Sequence, residues 1–406
     1  MNIMSPVAVP AAPILHASAV IAAADQILVL LERGRRIDST VLRAAMESAF
    51  GASDAAGAWD WKTAYDACEV ATVLFLRKYG TALFRKSGSP ASRLSALTKV
   101  TGLLPTHTRR SEETQTFQQF STPVPLGLAA VTAAALSPTD RVLEPSAGTG
   151  LLAILAEAAG ASLILNELAK TRADLLASLF PAVPLTRFDA AQIDDHLDRA
   201  AIPSVVIMNP PFSVMANVSG RVADAAYRHI ASALARLAPG GRLVAITGAN
   251  LSPELPAWRD SFIRLQEHGR VVFTAAIAGS VYARHGTTIE TRLTVVDKAP
   301  AEDAQHFPGR QGHHVGIAPQ EADAAHIRRH LDDVAGQEHS GAVMGLCPME
   351  HGAAGEMPAE PDQRGAGQDF ERITFPEPDA LRRAHDPFPV GGVQIDRGAE
   401  GVAPVL

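Results

Sequence analysis

Cysteine is nearly absent from this 406-residue chain: only Cys68 and Cys347 occur, far apart and in unlike surroundings. That scarcity argues against a disulfide framework or a cysteine zinc site and points to a reducing, cytoplasmic setting. A secretory leader is not expected either, because the first basic residue, Arg33, follows the N-terminal apolar stretch instead of preceding it. Ala17–Leu31 is interrupted by Asp25 and Gln26 and is short for a bilayer, so it is taken as a buried helix and no membrane partner is expected. No GxxxxGK[ST] stretch occurs, so no P-loop motor is encoded in these residues. No internal repeat is visible.

Two further absences divide the chain. Between Glu69 and Glu112 there is no acidic residue, yet Arg77, Lys78, Arg85, Lys86, Arg93, Lys99, Arg109 and Arg110 stand there. Such a stripe suits a phosphate backbone, or it is a solvated helical face. After Lys298 there is no lysine. Residues 301–406 hold 18 acidic and 8 basic residues with 14 glycines, 10 prolines and 8 histidines. That composition buries too little apolar surface to offset the entropy of ordering, so 300–406 is expected to be an acidic linker or largely disordered tail, with one helix at Gln320–Val334. His326 and His330 are four apart but lack an evident third ligand, and no metal site is assigned. Removing the tail from the totals of 43 acidic and 36 basic residues leaves 25 and 28, a mildly basic body.

What is present is a core-forming sequence, 47% hydrophobic. Residues 1–110 form a helical N-terminal region: Pro13–Glu32, Val41–Phe50 capped from Asp38-Ser39-Thr40, Trp61–Tyr79, and Ala91–Leu103. From Phe117 the pattern alternates strand and helix, which indicates an α/β domain over 111–299 with helices on both faces of its sheet. Strands are expected at Arg141–Pro145, Ser162–Asn166, Leu185–Phe188, Ser204–Met208, Arg242–Thr247, Arg270–Thr274 and Thr291–Val296. Helices are expected at Val124–Leu136, Gly150–Ala159, Ala169–Phe180, Ala191–Ala200, Val222–Leu237 and Pro256–Glu267.

Four motifs sit where such a sheet presents its ligand sites, beyond the carboxyl ends of the strands. They are Ser121-Thr122-Pro123 before a helix, Glu144–Gly150 (EPSAGTG) after the first strand, Asn166-Glu167 after the second, and Phe188-Asp189 after the third. A fifth, Asn209-Pro210-Pro211-Phe212, ends the buried strand Val205–Met208. Together they resemble a class I S-adenosylmethionine-dependent methyltransferase of the N6-adenine type, over roughly Gln115 to Lys298. The resemblance implies a Rossmann-like seven-stranded sheet whose last strand inserts antiparallel, and S-adenosyl-L-methionine as cofactor.

The resemblance also implies roles. A hydroxyl of Ser121 or Thr122, ahead of Pro123, bonds the cofactor carboxylate, or else caps the helix. Glu144 takes the α-ammonium, while Pro145, Ala147, Gly148 and Gly150 form the turn along the methionine and ribose. Glu167 accepts the ribose hydroxyls or serves as a helix-start carboxylate. Asp189 bonds the adenine amino group or caps the next helix. Asn209 and Pro210 accept the hydrogens of the target amine, Pro211 stiffens the backbone, and Phe212 stacks on the base, unless the four are only a turn. Tyr282, in Val281–Arg292, is a candidate to hold a flipped base. Arg284, His285 and Arg292 either touch phosphate or are surface residues and partners of Glu290.

The activity implied is methylation of an exocyclic amine, above all adenine N6 in DNA; rRNA guanine-N2 and protein-glutamine methylases share the Asn-Pro-Pro-aromatic pattern. A non-catalytic binding module is the remaining alternative. No separate target-recognition domain is evident, so recognition falls to the N-terminal helices or to another chain. The whole also resembles the methylase-like part of bacterial strawberry-notch-type proteins, which implies a helicase-like ATPase as partner.

Overall fold

A computed structural model describes residues 13–86, 90–108, 121–211 and 225–308. Phe212, the tail beyond residue 308, and Arg109 and Arg110 of the basic stripe lie outside the described residues.

Four helices come first: α1 (Pro13–Glu32), α2 (Ser39–Phe50), α3 (Trp61–Lys86) and α4 (Pro90–Gly102). Asp38 caps α2, its carboxylate accepting from the Thr40 and Val41 N–H groups at 2.9 Å. Helix α1 buries Val20, Ala23, Ala24, Ile27 and Leu31, a stripe at helical spacing, along α3. Helix α3 runs two turns beyond the expected Tyr79. Among its last residues Gly80 crosses the helix Leu151–Ala158, where an added Cβ would stand 2.9 Å from the Ala158 Cβ. Only glycine permits that approach.

Helix α5 (Val124–Ala134) leads into a seven-stranded sheet of β1 (Arg141–Glu144), β2 (Ser162–Asn166), β3 (Leu185–Thr186), β4 (Val205–Met208), β5 (Arg242–Gly248), β6 (Arg270–Ile277) and β7 (Thr291–Asp297). The strand order is β3-β2-β1-β4-β5-β7-β6. The first five run parallel, and β7 is antiparallel to both neighbours, β5 and β6. This is the inserted last strand that the resemblance implies. The intervening helices are α6 (Leu151–Ala158), α7 (Lys170–Leu179), α8 (Ile193–His196), α9 (Ala225–Arg236) and α10 (Pro256–Gln266).

Alternation along each strand sends side chains to two helical layers. Leu143, Val206, Met208, Leu243 and Ala245 pack with Ile230, Ala233 and Leu234 of α9 and with Phe262 of α10. On the other face, α5 lies against β4, β5 and β7, with α6 beside it, and the N-terminal helices reach the domain through α6 and α7.

Three expectations are corrected. Strand β3 stops at Thr186, not Phe188, because the Asn166 side chain takes both the Phe188 N–H (2.8 Å) and the Phe188 carbonyl (2.9 Å) in place of a ladder. The helix expected over Ala191–Ala200 is a 3-10 turn, Ala190–Gln192, followed by one turn of α8. It ends where Asp198 takes the Ala200 N–H on its side chain (2.7 Å) and the Ala201 N–H on its carbonyl (2.9 Å). The packed body also passes residue 299: Gln266 Nε2 donates to the Ala304 and His306 carbonyls at 2.9 Å, and Phe307 meets Phe262 edge-on. Among the described residues no helix is long and apolar enough to cross a membrane.

Candidate functional site

The carboxyl ends of β1 to β4 open on one cavity of about 500 Å³, a volume within the usual range of small-molecule sites. Ser121, Thr122, Glu144, Pro145, Ala147, Gly148, Glu167, Asp189, Asn209, Pro210 and Pro211 all line it. Pro123 and Gly150 are not among the residues that line it.

The turn after β1 is shaped by glycine. Gly148 has φ 57°, and its N–H donates to Glu167 Oε2 at 2.9 Å. Gly150 has φ 89°, and an added Cβ would lie 2.6 Å from Phe180 Cε2. Asn166 fastens the neighbouring chain ends together, donating from Nδ2 to the carbonyls of Pro145 and Phe188, both at 2.9 Å. Glu167 is buried, and its Oε1 accepts the Ala169 N–H at 2.8 Å. Both carboxylate oxygens thus order backbone, one in the turn after β1 and one just ahead of α7.

Glu144 is buried at the cavity floor. It accepts the Ala153 N–H, and its Oε2 has no partner among the described residues. Burial, with Glu167 nearby, pushes its carboxyl well above the usual range. Asp189 is exposed at the cavity rim, where its Oδ1 caps Ala191 N at 3.0 Å. Neither Ser121 nor Thr122 caps α5: the N-cap position is Pro123, with no side-chain bond. Instead Thr122 Oγ1 accepts from Asn209 Nδ2 at 2.9 Å, and the Ser121 side chain bonds Glu69.

Tyr282 is not a platform for a base. It is fully buried, with its hydroxyl facing the Asn209 side chain, so it stands behind Asn209 and not on the cavity wall. Nor do its neighbours form a phosphate surface. Arg292 is 4% exposed, donates to Thr274 Oγ1 at 2.7 Å, and has Glu254, not Glu290, as its carboxylate neighbour at 4.0 Å. Arg284 donates to the Gly102 and Leu104 carbonyls. Within the basic stripe, Arg77 pairs with Glu157 at 3.3 Å and Lys78 with Glu32 at 2.7 Å, while Arg85 and Lys99 are exposed.

Four residues of this region, and the side-chain role of Thr149 in the turn, went unassigned in the sequence. Lys62, Thr149, Arg172 and His229 line the cavity, and Glu69 supports it from α3. The Thr149 hydroxyl donates to Glu69 Oε2 at 2.6 Å. Burial and the nearby Asp66 push the Glu69 carboxyl up to about 7, against the pull of Arg172 and the two hydroxyls. Arg172 itself is paired with Asp66 at 3.3 Å. His229 is buried, with Nδ1 unpartnered among the described residues, and burial lowers its pKa despite Asp189. The signal for Glu69 was a carboxylate among Cys68, Val70, Ala71 and Thr72, on a stretch otherwise fit for a core.

No protein-family model matches the sequence, and no curated protein sequence matches it. Solved structures do resemble it at low identity. A type I restriction-modification system methyltransferase subunit from Streptococcus thermophilus is 14% identical, with TM-score 0.39 over 78% of this chain and 86% of that one. The M protein of the type I restriction enzyme EcoKI is 14% identical, with TM-score 0.37 over 71% and 62%. A TehB-like SAM-dependent methyltransferase from Corynebacterium glutamicum is 15% identical, with TM-score 0.30 over 43% and 88%.

Proposed function

We propose that this chain is an S-adenosylmethionine-dependent methyltransferase acting on an exocyclic amino group, with adenine N6 in DNA as its substrate. The observation that carries this reading is a shared wall: Asn209 and Pro210, ending β4, line the same cavity as Glu144 and Glu167, ending β1 and β2. A group that prepares an amine and a pocket that holds a nucleoside therefore adjoin.

The residues present fit the cofactor. The buried, unpartnered Glu144 Oε2 is a site for its ammonium. Each Glu167 oxygen retains acceptor capacity beyond its one backbone bond, enough for the ribose hydroxyls. Asp189, at the rim beside Phe188 and Ala190, serves the adenine amino group. A lining with several carboxylates suits a ligand bearing ammonium and sulfonium charges. When bound, the cofactor supplies an electrophilic methyl group.

The chain's own residues supply the rest. An aromatic amine is a poor nucleophile because its lone pair is conjugated with the ring. The Asn209 side-chain oxygen and the Pro210 carbonyl accept its two hydrogens, which favours a tetrahedral nitrogen. Thr122 fixes the Asn209 amide, and proline restricts the backbone that carries both acceptors. Phe212 is assigned to stacking on a base drawn out of the duplex. Target recognition is assigned to the N-terminal helices or to a partner, either a recognition subunit or a helicase-like ATPase.

The test is to incubate the purified chain with methyl-labelled cofactor and, separately, plasmid DNA, ribosomal RNA and a release factor. Label recovered from DNA as N6-methyladenine is expected. Label found only in RNA or protein removes the DNA assignment, and no transfer to any acceptor removes the transferase.

A further inference from the structure

We propose that Glu69, His107 and His285 form a second site, outside the cofactor cavity, that binds a zinc-class divalent cation. One ligand atom from each lies within 4.8 Å of the other two. They come from three separate segments: α3, the stretch after α4, and the 3-10 turn Gly279–His285 between β6 and β7. All three line a cavity of about 220 Å³ distinct from the one described above, which leaves room for an ion and a water molecule.

The ligands are held in place from outside. His107 stacks on Tyr65 with ring centroids 4.0 Å apart and 14° between planes, and its backbone N–H donates to the Arg284 carbonyl at 2.8 Å. The His107 and His285 rings are 5.0 Å apart. His285 Nδ1 is buried with no partner among the described residues, the condition a ligated nitrogen would relieve. The Glu69 carboxylate is oriented by the Thr149 and Ser121 hydroxyls, as outer partners orient a metal's ligands.

Two imidazoles and one carboxylate form the donor set of an open zinc site, with the fourth position left to water. Calcium and magnesium prefer all-oxygen shells, which this cluster does not offer. Arg284 lies close to both imidazoles and its charge opposes a cation. Its guanidinium is turned to the carbonyls of Gly102 and Leu104, and the Glu69 carboxylate offsets it. An ion here would pin the N-terminal helices to the connection that carries Tyr282, and through Ser121 and Thr149 it would touch the cofactor turn.

The experiment uses the full chain, stripped with a chelator and titrated with Zn²⁺ by calorimetry and with Co²⁺ by visible absorption. Because the segment after residue 300 holds 8 histidines, uptake is compared with a His107→Ala/His285→Ala variant, and with the exposed-site control His268→Ala. The wild type and the control are expected to take up one equivalent more than the double variant, and zinc should raise the melting temperature of these two alone. Should the double variant fail to fold, His107→Gln and His285→Gln serve singly, each expected to bind at least about tenfold more weakly. Uptake by the double variant equal to that of the wild type, or wild-type affinity in both single variants, would overturn the proposal.

Discussion

Asn209 Nδ2 donates to Thr122 Oγ1 at 2.9 Å, across 87 residues of sequence. This bond joins the end of β4 to the lead-in of α5 and anchors the amide through its nitrogen. Thr122→Val should therefore leave a partly buried amide short of a partner and cost about 1–3 kcal/mol in denaturant unfolding. Thr122→Ser keeps the hydroxyl and should stay within about 1 kcal/mol of the wild type. Equal stabilities for Val and Ser would show that the bond does not hold the loop.

The turn after β1 should not tolerate a methyl group at Gly150. Its φ of 89° and the 2.6 Å approach to Phe180 Cε2 act together. Gly150→Ala is expected to lose about 1–3 kcal/mol of stability. Adding Phe180→Leu should return the steric part and leave the backbone part. A fully stable Gly150→Ala chain would contradict the turn geometry.

Glu144 predicts opposite pH trends for folding and for cofactor binding. Burial holds its carboxyl well above the ordinary 4.5, so the folded chain keeps a proton that the unfolded chain releases above that pH. The stability it contributes is full below pH 4.5 and falls as pH rises through the raised pKa. An ammonium ligand takes the carboxylate, so cofactor affinity should rise with pH, by up to about tenfold per unit, until the group has ionised. Glu144→Gln should flatten both profiles, measured by thermal unfolding and calorimetry. A wild-type affinity independent of pH would place the ammonium elsewhere.

Glu167→Ala removes an acceptor assigned to the ribose as well as the carboxylate that orders the Gly148 and Ala169 N–H groups. Cofactor binding should weaken by about 1.5–3 kcal/mol in calorimetry. Unchanged affinity would leave Glu167 as a helix-start carboxylate alone.

The sheet was legible because its central strands are short apolar runs, buried almost throughout, between turn signals; Ser162–Asn166 is observed as expected. The motifs that line the cavity were legible because strand ends in such a sheet converge. What was not legible depended on partners distant in sequence. Local pattern shows Leu185–Phe188 as one short strand, and nothing local reveals that the Asn166 side chain ends its ladder. Tyr282 is an aromatic in a loop by sequence, yet it is enclosed and meets Asn209. Glu69 acts through Thr149, 80 residues away, and nothing in the spacing of α3 shows that pairing.

The amino-methylation account is tested most directly by Asn209→Ala, with cofactor affinity from calorimetry read beside turnover on DNA. Removing one of two preorganised acceptors should lower turnover by about 10²-fold or more and leave cofactor affinity nearly unchanged. If Asn209→Ala instead loses cofactor binding as severely as Glu167→Ala, Asn209–Pro211 is a structural turn beneath the cofactor, and the preparation of the amine by Asn209 is contradicted.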